Sequence, residues 1–308
     1  MCNRFISNRS SYLIFKNNNW NSYKERFSPD FYLRYKQQGF FYTYIRKNAS
    51  TSFKKLFQVL YPNVCPGELP TISCMIKNAR VSGLLPEDID QRFSFKIFVY
   101  RDPIERVFSV YKNKLVQQNG AEDLLLNLER VVGRDPGLLT FDEFVHEYVM
   151  LLQSERWEEV DGHLYPQTWH LLPITYNKVI LMDNVYKEMQ ELLPIELCDQ
   201  VFKEPTNSTT NGSFPLLWSD PECPAVYFRK KYAQDNALPT LSQLLTPATE
   251  ASIREVYVED YQMISEIEGK STVASFTSDL NFDISKFTMN ESSERALGLD
   301  FTLPETPG

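Results

Sequence analysis

The sequence predicts an α/β protein with a central parallel sheet flanked by helices, and three observations carry that expectation. Strand-like and helix-like segments alternate along the chain, the pattern of βαβ units. The run NKVILMDNV, residues 177–185, is a short continuous apolar stretch of the type buried on both faces of a parallel sheet. The composition, 43% hydrophobic and 14% aromatic over 308 residues, belongs to a globular chain with a large core.

Residues 1–35 are polar and Asn-rich, predict an N-terminal arm, and contain no apolar run of signal-peptide or membrane-spanning length. Phe40, Phe41, Tyr42, Tyr44 and Ile45 predict a strand, and Phe53, Leu56, Phe57 and Leu60 recur at helical spacing. FSFKIFVYR, 93–101, alternates into a second strand, after which Asp102 is placed to cap a helix over 103–118 that Pro103 opens. Thr140 and Glu143 form a capping box ahead of a helix over 140–153. Residues 177–185 are the third strand, and Pro247 opens a helix over 247–267. The end of the chain shows no sustained period. The expected organisation is an arm over 1–35, one domain over 36–268, and a partly irregular tail over 269–308.

The formal net charge of −8 argues against a nucleic-acid binder, which needs an excess of Lys and Arg, and leaves room for a local basic pocket. The five cysteines, Cys2, Cys65, Cys74, Cys198 and Cys223, are scattered without a C-x-x-C pair, so neither a disulfide framework nor a zinc site is predicted. A reducing, cytoplasmic setting without a membrane span is expected.

Two segments carry chemistry. In IRKNASTSF, residues 45–53, a strand runs through a turn of small residues into a helix. Such a turn aims backbone N–H groups and the positive end of the helix dipole at whatever sits above it, and phosphate is the usual occupant. The segment lacks the glycines and the terminal lysine of G-x-x-x-x-G-K-[ST], and its lysine, Lys47, opens the turn. The alternative is an ordinary turn capped by Ser50 or Thr51. In VYRDPIERVFSVYKNKL, residues 99–115, Arg101 closes a strand and Ser109 follows inside the next helix. Arg grips phosphate through a planar fork, and strand carboxyl ends are where α/β sheets bind ligands. Arg101 could instead pair with Asp102 or Glu105, and for Arg106 a pairing with Asp102 one turn back is the favoured reading.

Together these segments resemble the 5′-phosphosulfate loop and the 3′-phosphate signature of sulfotransferases that use 3′-phosphoadenosine-5′-phosphosulfate (PAPS), in particular the carbohydrate (Golgi-type) family and its bacterial relatives. DGHLYPQTWHL (161–171), FKEPTNSTTNGS (202–213) and IREVYVEDYQMI (253–264) extend the likeness, which covers residues 38–267. Ala49 and Ser50 stand where many members carry a glycine. The resemblance implies a P-loop-like nucleotide-binding fold and O-sulfation of a saccharide or small-molecule hydroxyl, with release of adenosine 3′,5′-bisphosphate (PAP) and no metal. It implies that Lys47 acts on the departing phosphate, that Arg46, Lys47, Asn48, Ala49, Ser50, Thr51 and Ser52 hold the 5′-phosphosulfate, and that Arg101 and Ser109 hold the 3′-phosphate.

For the general base, His163 beside Asp161 is the leading candidate, with His170 behind it and Glu155, Glu158 and Glu159 open. His146, on the polar side of its helix, is expected to be solvated. A nucleotide-dependent kinase would need Mg²⁺-binding carboxylates and a glycine-bearing loop, neither of which the sequence offers, and retention of Lys47 argues against a noncatalytic PAP-binding protein. Acidic residues in SERWEEVDGH, 154–163, favour a neutral saccharide or a cationic metabolite as acceptor over heparin-like chains.

Overall fold

A computed structural model describes residues 15–16, 32–35, 38–62, 89, 91–172, 174–204, 214–217 and 220–271. Most of the expected arm, nearly all of the expected tail and residues 205–213 of the Asn-Ser/Thr segment lie outside these residues. Chain contacts divide the protein into Met1–Ala274 and Ser275–Gly308, and only the first unit contains described residues.

The central sheet has four strands in the order β2 (Tyr32–Tyr35), β3 (Phe40–Thr43), β4 (Phe95–Tyr100) and β6 (Lys178–Leu181), counting β1 as Phe15–Lys16 and β5 as Thr175–Tyr176. β3, β4 and β6 run parallel, and β2 pairs antiparallel to β3 at the edge. The sheet is therefore mostly parallel, as the apolar runs require. Alternation then sorts its side chains. Tyr42, Ile97, Val99 and Ile180 pack with Phe53, Leu56 and Phe57 of helix α1 (Ser50–Leu60) on one face. Phe41, Phe98 and Tyr100 pack with Ile174, Tyr176, Met263 and Ile267 on the other. Because both faces are covered, the parallel strands carry apolar residues on each side, with Thr43, Lys96 and Lys178 as buried exceptions.

A second core forms among helices after β4. Helix α2 (Pro103–Val110) continues into a π-helix over Tyr111–Val116, then come α3 (Glu122–Val132) and α4 (Phe141–Glu147). Val107, Tyr111, Phe141, Phe144, Tyr148 and Tyr257 are among its fully buried members. Asp102 caps α2 through the N–H groups of Ile104 (2.8 Å) and Glu105 (3.1 Å). Thr140 and Glu143 bond reciprocally in the expected capping box, at 2.8 and 3.1 Å.

Three helices differ from the sequence expectation. That over 103–118 loosens to i→i+5 bonding after Val110, seen in the Gln117 N–H donating to the Lys112 carbonyl at 2.9 Å. That over 140–153 leaves α geometry at Glu147 and ends as a 3₁₀ turn over Val149–Gln153. That over 247–267 divides at Tyr257, whose buried hydroxyl donates to the Leu164 carbonyl at 2.6 Å. Apolar spacing alone registers none of these changes, because the first two alter the bonding period and the third breaks the helix at one residue while a buried face is kept.

Candidate functional site

The carboxyl ends of β3 and β4 lie side by side, and both predicted anion segments emerge there. After β3 the backbone turns through Lys47 at φ +69° and Ala49 at φ +55°, two left-handed positions around Asn48. Alternation of this kind curls successive N–H groups inward, the geometry of an anion-binding nest. No side chain caps α1, which corrects the expectation of a Ser50 or Thr51 cap: Ala49 is the N-cap and Ser50, Thr51 and Ser52 form the first turn. First-turn N–H groups have no intrahelical acceptor. The strained Ala49 stands where many family members have glycine, the residue best suited to such a φ.

Asn48 anchors the turn from beneath. Its amide donates to the Val99 carbonyl at 2.9 Å and to Gln167 Oε1 at 2.6 Å. Gln167 in turn exchanges bonds with the Arg101 backbone, accepting from its N–H at 3.0 Å and donating to its carbonyl at 2.9 Å. Buried Asp260 completes the hub by accepting from the Gln167 and Thr168 N–H groups, each at 2.9 Å. One glutamine thus ties the first loop to the end of β4 and to the last described helix, Val258–Ser271.

Cations gather over this frame. Lys47 Nζ donates to Asn113 Oδ1 at 2.5 Å. Burial first, then Lys114, Arg101 and Arg106, lower its pKa to about 7, against a small opposing pull from Asp161. Asn113 lies in the π-helix, and such wide turns recur at functional sites. Arg101 Nε donates to Glu105 at 3.2 Å, the intrahelical pairing the sequence allows, while Ser109 is buried behind it. Arg106 does not pair with Asp102, which is occupied as a cap. Its Nε donates to the Arg46 carbonyl at 3.1 Å, and its two buried Nη atoms have no hydrogen-bond partner.

The loop after the 3₁₀ turn brings His163 to the same region. Asp161 Oδ1 accepts from the His163 backbone N–H at 2.7 Å and lies 2.6 Å from ring Nδ1. Burial lowers the imidazole to about 4 despite the carboxylate, with Arg46 and Lys114 adding to the fall. Asp161 is held down at about 2: burial opposes this, but the His163 bonds and Arg46 prevail. At neutral pH the ring is uncharged, Nδ1–H donates to Asp161, and Nε2 is left as the acceptor. Arg46 Nη1 stands 3.8 Å from Asp161, and a Cβ on Gly162 would lie 2.7 Å from that Nη1. Gly162 therefore keeps the arginine in reach.

His170 is buried, and burial followed by Arg106 holds it well below the ordinary histidine pKa. His146 is exposed, with ring contacts to Asp142 and Ser252 at 3.0 and 2.9 Å. Glu155 and Glu158 face solvent, and Glu159 binds Arg156 through both oxygens at 2.9 Å. The acidic stretch is partly neutralised on itself. Asn113, Gln167 and Asp260 escaped sequence reasoning, although all three lie inside segments that it singled out.

Among the described residues, no helix is long and apolar enough to cross a membrane. A family model described as "Sulfotransferase family" matches residues 31–264. Carbohydrate sulfotransferase 14 of Mus musculus is 29% identical over 147 residues, a match covering 43% of this chain and 36% of that protein. The match therefore reaches little more than a third of that relative's length. No solved structure matches the chain.

Proposed function

The chain belongs to the sulfotransferase family, and from that premise we propose that it transfers a sulfuryl group from PAPS to a hydroxyl of a saccharide or small metabolite, releasing PAP. The observation that carries this reading is the meeting of a nest-like, uncapped turn at Lys47–Ser52 with a partly buried cation cluster at adjoining strand ends. We read that turn as P-loop-like in role. Its N–H groups and the hydroxyls of Ser50, Thr51 and Ser52 hold the 5′-phosphosulfate, with Arg46 beside it. Arg101 and Ser109 hold the 3′-phosphate. The catalytic domain takes in the expected 36–268 together with edge strand β2 at its start and the end of the helix Val258–Ser271, and what precedes and follows is read as arm and tail.

In this reading the acceptor hydroxyl loses its proton to His163 Nε2 while its oxygen attacks sulfur, and the sulfur–oxygen bond to the 5′-phosphate breaks. Charge develops on that bridging oxygen, where a preorganised cation and backbone donors act most strongly. Lys47 supplies the cation. Asp161 stabilises the imidazolium as it forms.

The direct test is calorimetric titration with PAP in the presence of a chelator, followed by turnover of PAPS with a panel of neutral and charged alcohols. Tight PAP binding and sulfated product are expected. Failure of PAP to bind would remove the donor assignment. Arg101→Ala should weaken PAP by about 30-fold, the worth of a charge-assisted contact, while adenosine 5′-phosphosulfate, which has no 3′-phosphate, changes by less than about 3-fold.

A proton linkage follows from Lys47. Its pKa of about 7 in the free chain must rise when a phosphate anion lies beside it, so the liganded site holds more proton than the free one. PAP binding at pH 8 should take up protons, and affinity should fall as pH rises above 7. Titration in buffers of different ionisation enthalpy measures the uptake, which should shrink in Lys47→Met.

A further inference from the structure

Beside Arg101 lies a cavity of about 350 Å³. Arg101, Glu105, Ser109 and Lys112 lie on its polar side, and Phe214 and Leu238 on its apolar side. Lys112 stands at the start of the π-helix and is only 7% exposed. Its Nζ lies 4.8 Å from the centre of the Phe108 ring. Among the described residues it has no ion pair or hydrogen-bond acceptor. Burial lowers its amine to about 8, helped by Arg101 and opposed by Glu105. That glutamate is already engaged at Arg101 Nε, 3.2 Å away.

A nearly buried ammonium beside a guanidinium, with no carboxylate of its own, costs free energy that an arriving anion would offset. Glu105 engages Arg101 at Nε, so an anion that reaches the rest of the guanidinium and the Lys112 ammonium together is favoured by carrying more than one charge. A phosphate monoester does so at neutral pH, carrying −1.5 to −2, roughly, and a hydroxyl does not. The apolar side would accept the flat face of a base or the sugar edge.

We infer that Lys112 is a third anchor for the nucleotide 3′-phosphate, after Arg101 and Ser109, and that it sets the preference for a 3′-phosphorylated nucleotide over one with a free 3′-hydroxyl. The inference rests on the donor reading above and deepens it. Discrimination arises because a ligand without the phosphate leaves the nearly buried Lys112 ammonium, beside a half-buried Arg101, without an anionic partner of its own.

The test compares PAP with adenosine 5′-monophosphate, the same molecule lacking the 3′-phosphate, by calorimetry on the full chain. Lys112→Met keeps the buried stem filled and removes the charge; Lys112→Arg keeps the charge. Lys112→Met should lose about 10- to 50-fold in PAP affinity and change the monophosphate by less than about 2-fold, within the range of a charge-assisted bond. Lys112→Arg should stay within about 5-fold of the parent for PAP, since the charge is kept but not its geometry. Thermal unfolding should show Lys112→Met at least as stable as the parent, since the buried charge is removed and the stem is kept. An equal loss for both nucleotides, or undiminished PAP binding in Lys112→Met, would overturn the assignment of Lys112 alone. A parent chain that does not prefer PAP to the monophosphate would overturn the donor reading and this inference with it.

Discussion

Lys47→Ala is expected to lower turnover by about 10³-fold while PAP affinity stays within about tenfold, because the lysine acts chiefly on charge that appears during transfer. Lys47 Nζ is already oriented by Asn113 Oδ1 at 2.5 Å, so little reorganisation remains when the bridging oxygen gains charge. Lysine and alanine both carry a Cβ, so the substitution leaves the backbone strain at φ +69° unchanged. Folding should not suffer either. Between pH 7 and the ordinary lysine range the unfolded chain holds a proton that the folded site has largely released, so this group makes stability rise with pH. In Lys47→Ala that component disappears, and unfolding curves at pH 7 and pH 9 should lie closer together than in the parent. Single-turnover kinetics with saturating PAPS measures the chemical step. A rate within about threefold of the parent would remove Lys47 from the mechanism.

The features legible in the sequence are those written locally. The Thr140–Glu143 capping box, the Asp102 cap and Pro103 each depend on residues within four positions, and the structure has all three. Strand type was legible because β3 and β4 are rich in aromatic and β-branched residues and β6 lies in a short apolar run, each too short for a helix. The hub was not legible. Gln167 and Asn48 meet across 119 positions and Gln167 and Asp260 across 93, and neither glutamine nor aspartate announces such a contact by its type. Arg106 shows the opposite failure. Helical spacing put Asp102 within reach, but the carboxylate bonds two N–H groups at the helix start, and the guanidinium turns inward to the Arg46 carbonyl. The π-helix was hidden for a related reason: Lys112, Asn113 and Lys114 look like an ordinary solvated helix side in the sequence, yet all three are buried where the bonding period widens.

The acceptor side rests on one histidine, and its chemistry makes a graded prediction. His163→Ala should reduce turnover by about 10²-fold or more with PAP affinity unchanged, the usual worth of a positioned general base. A base must be uncharged to act, and burial sets the free ring at about 4. Activity of the parent should therefore hold as pH falls through 6.5, the ordinary imidazole value, and fail only well below it. Bound donor brings negative charge close to the ring and favours the imidazolium, so the acidic limb of kcat should lie at higher pH than that of kcat/KM for PAPS. Asp161→Asn separates orientation from basicity. It removes the carboxylate that accepts from Nδ1–H and opposes the burial effect, so turnover should fall about 10²-fold and the limb should move further down. In His163→Ala the limb should vanish. Should replacement instead lower thermal stability and acceptor affinity together, with the profile keeping its shape, His163 would be a loop brace. Glu155 and Glu158, which face solvent near the loop, would then be the carboxylates to replace next.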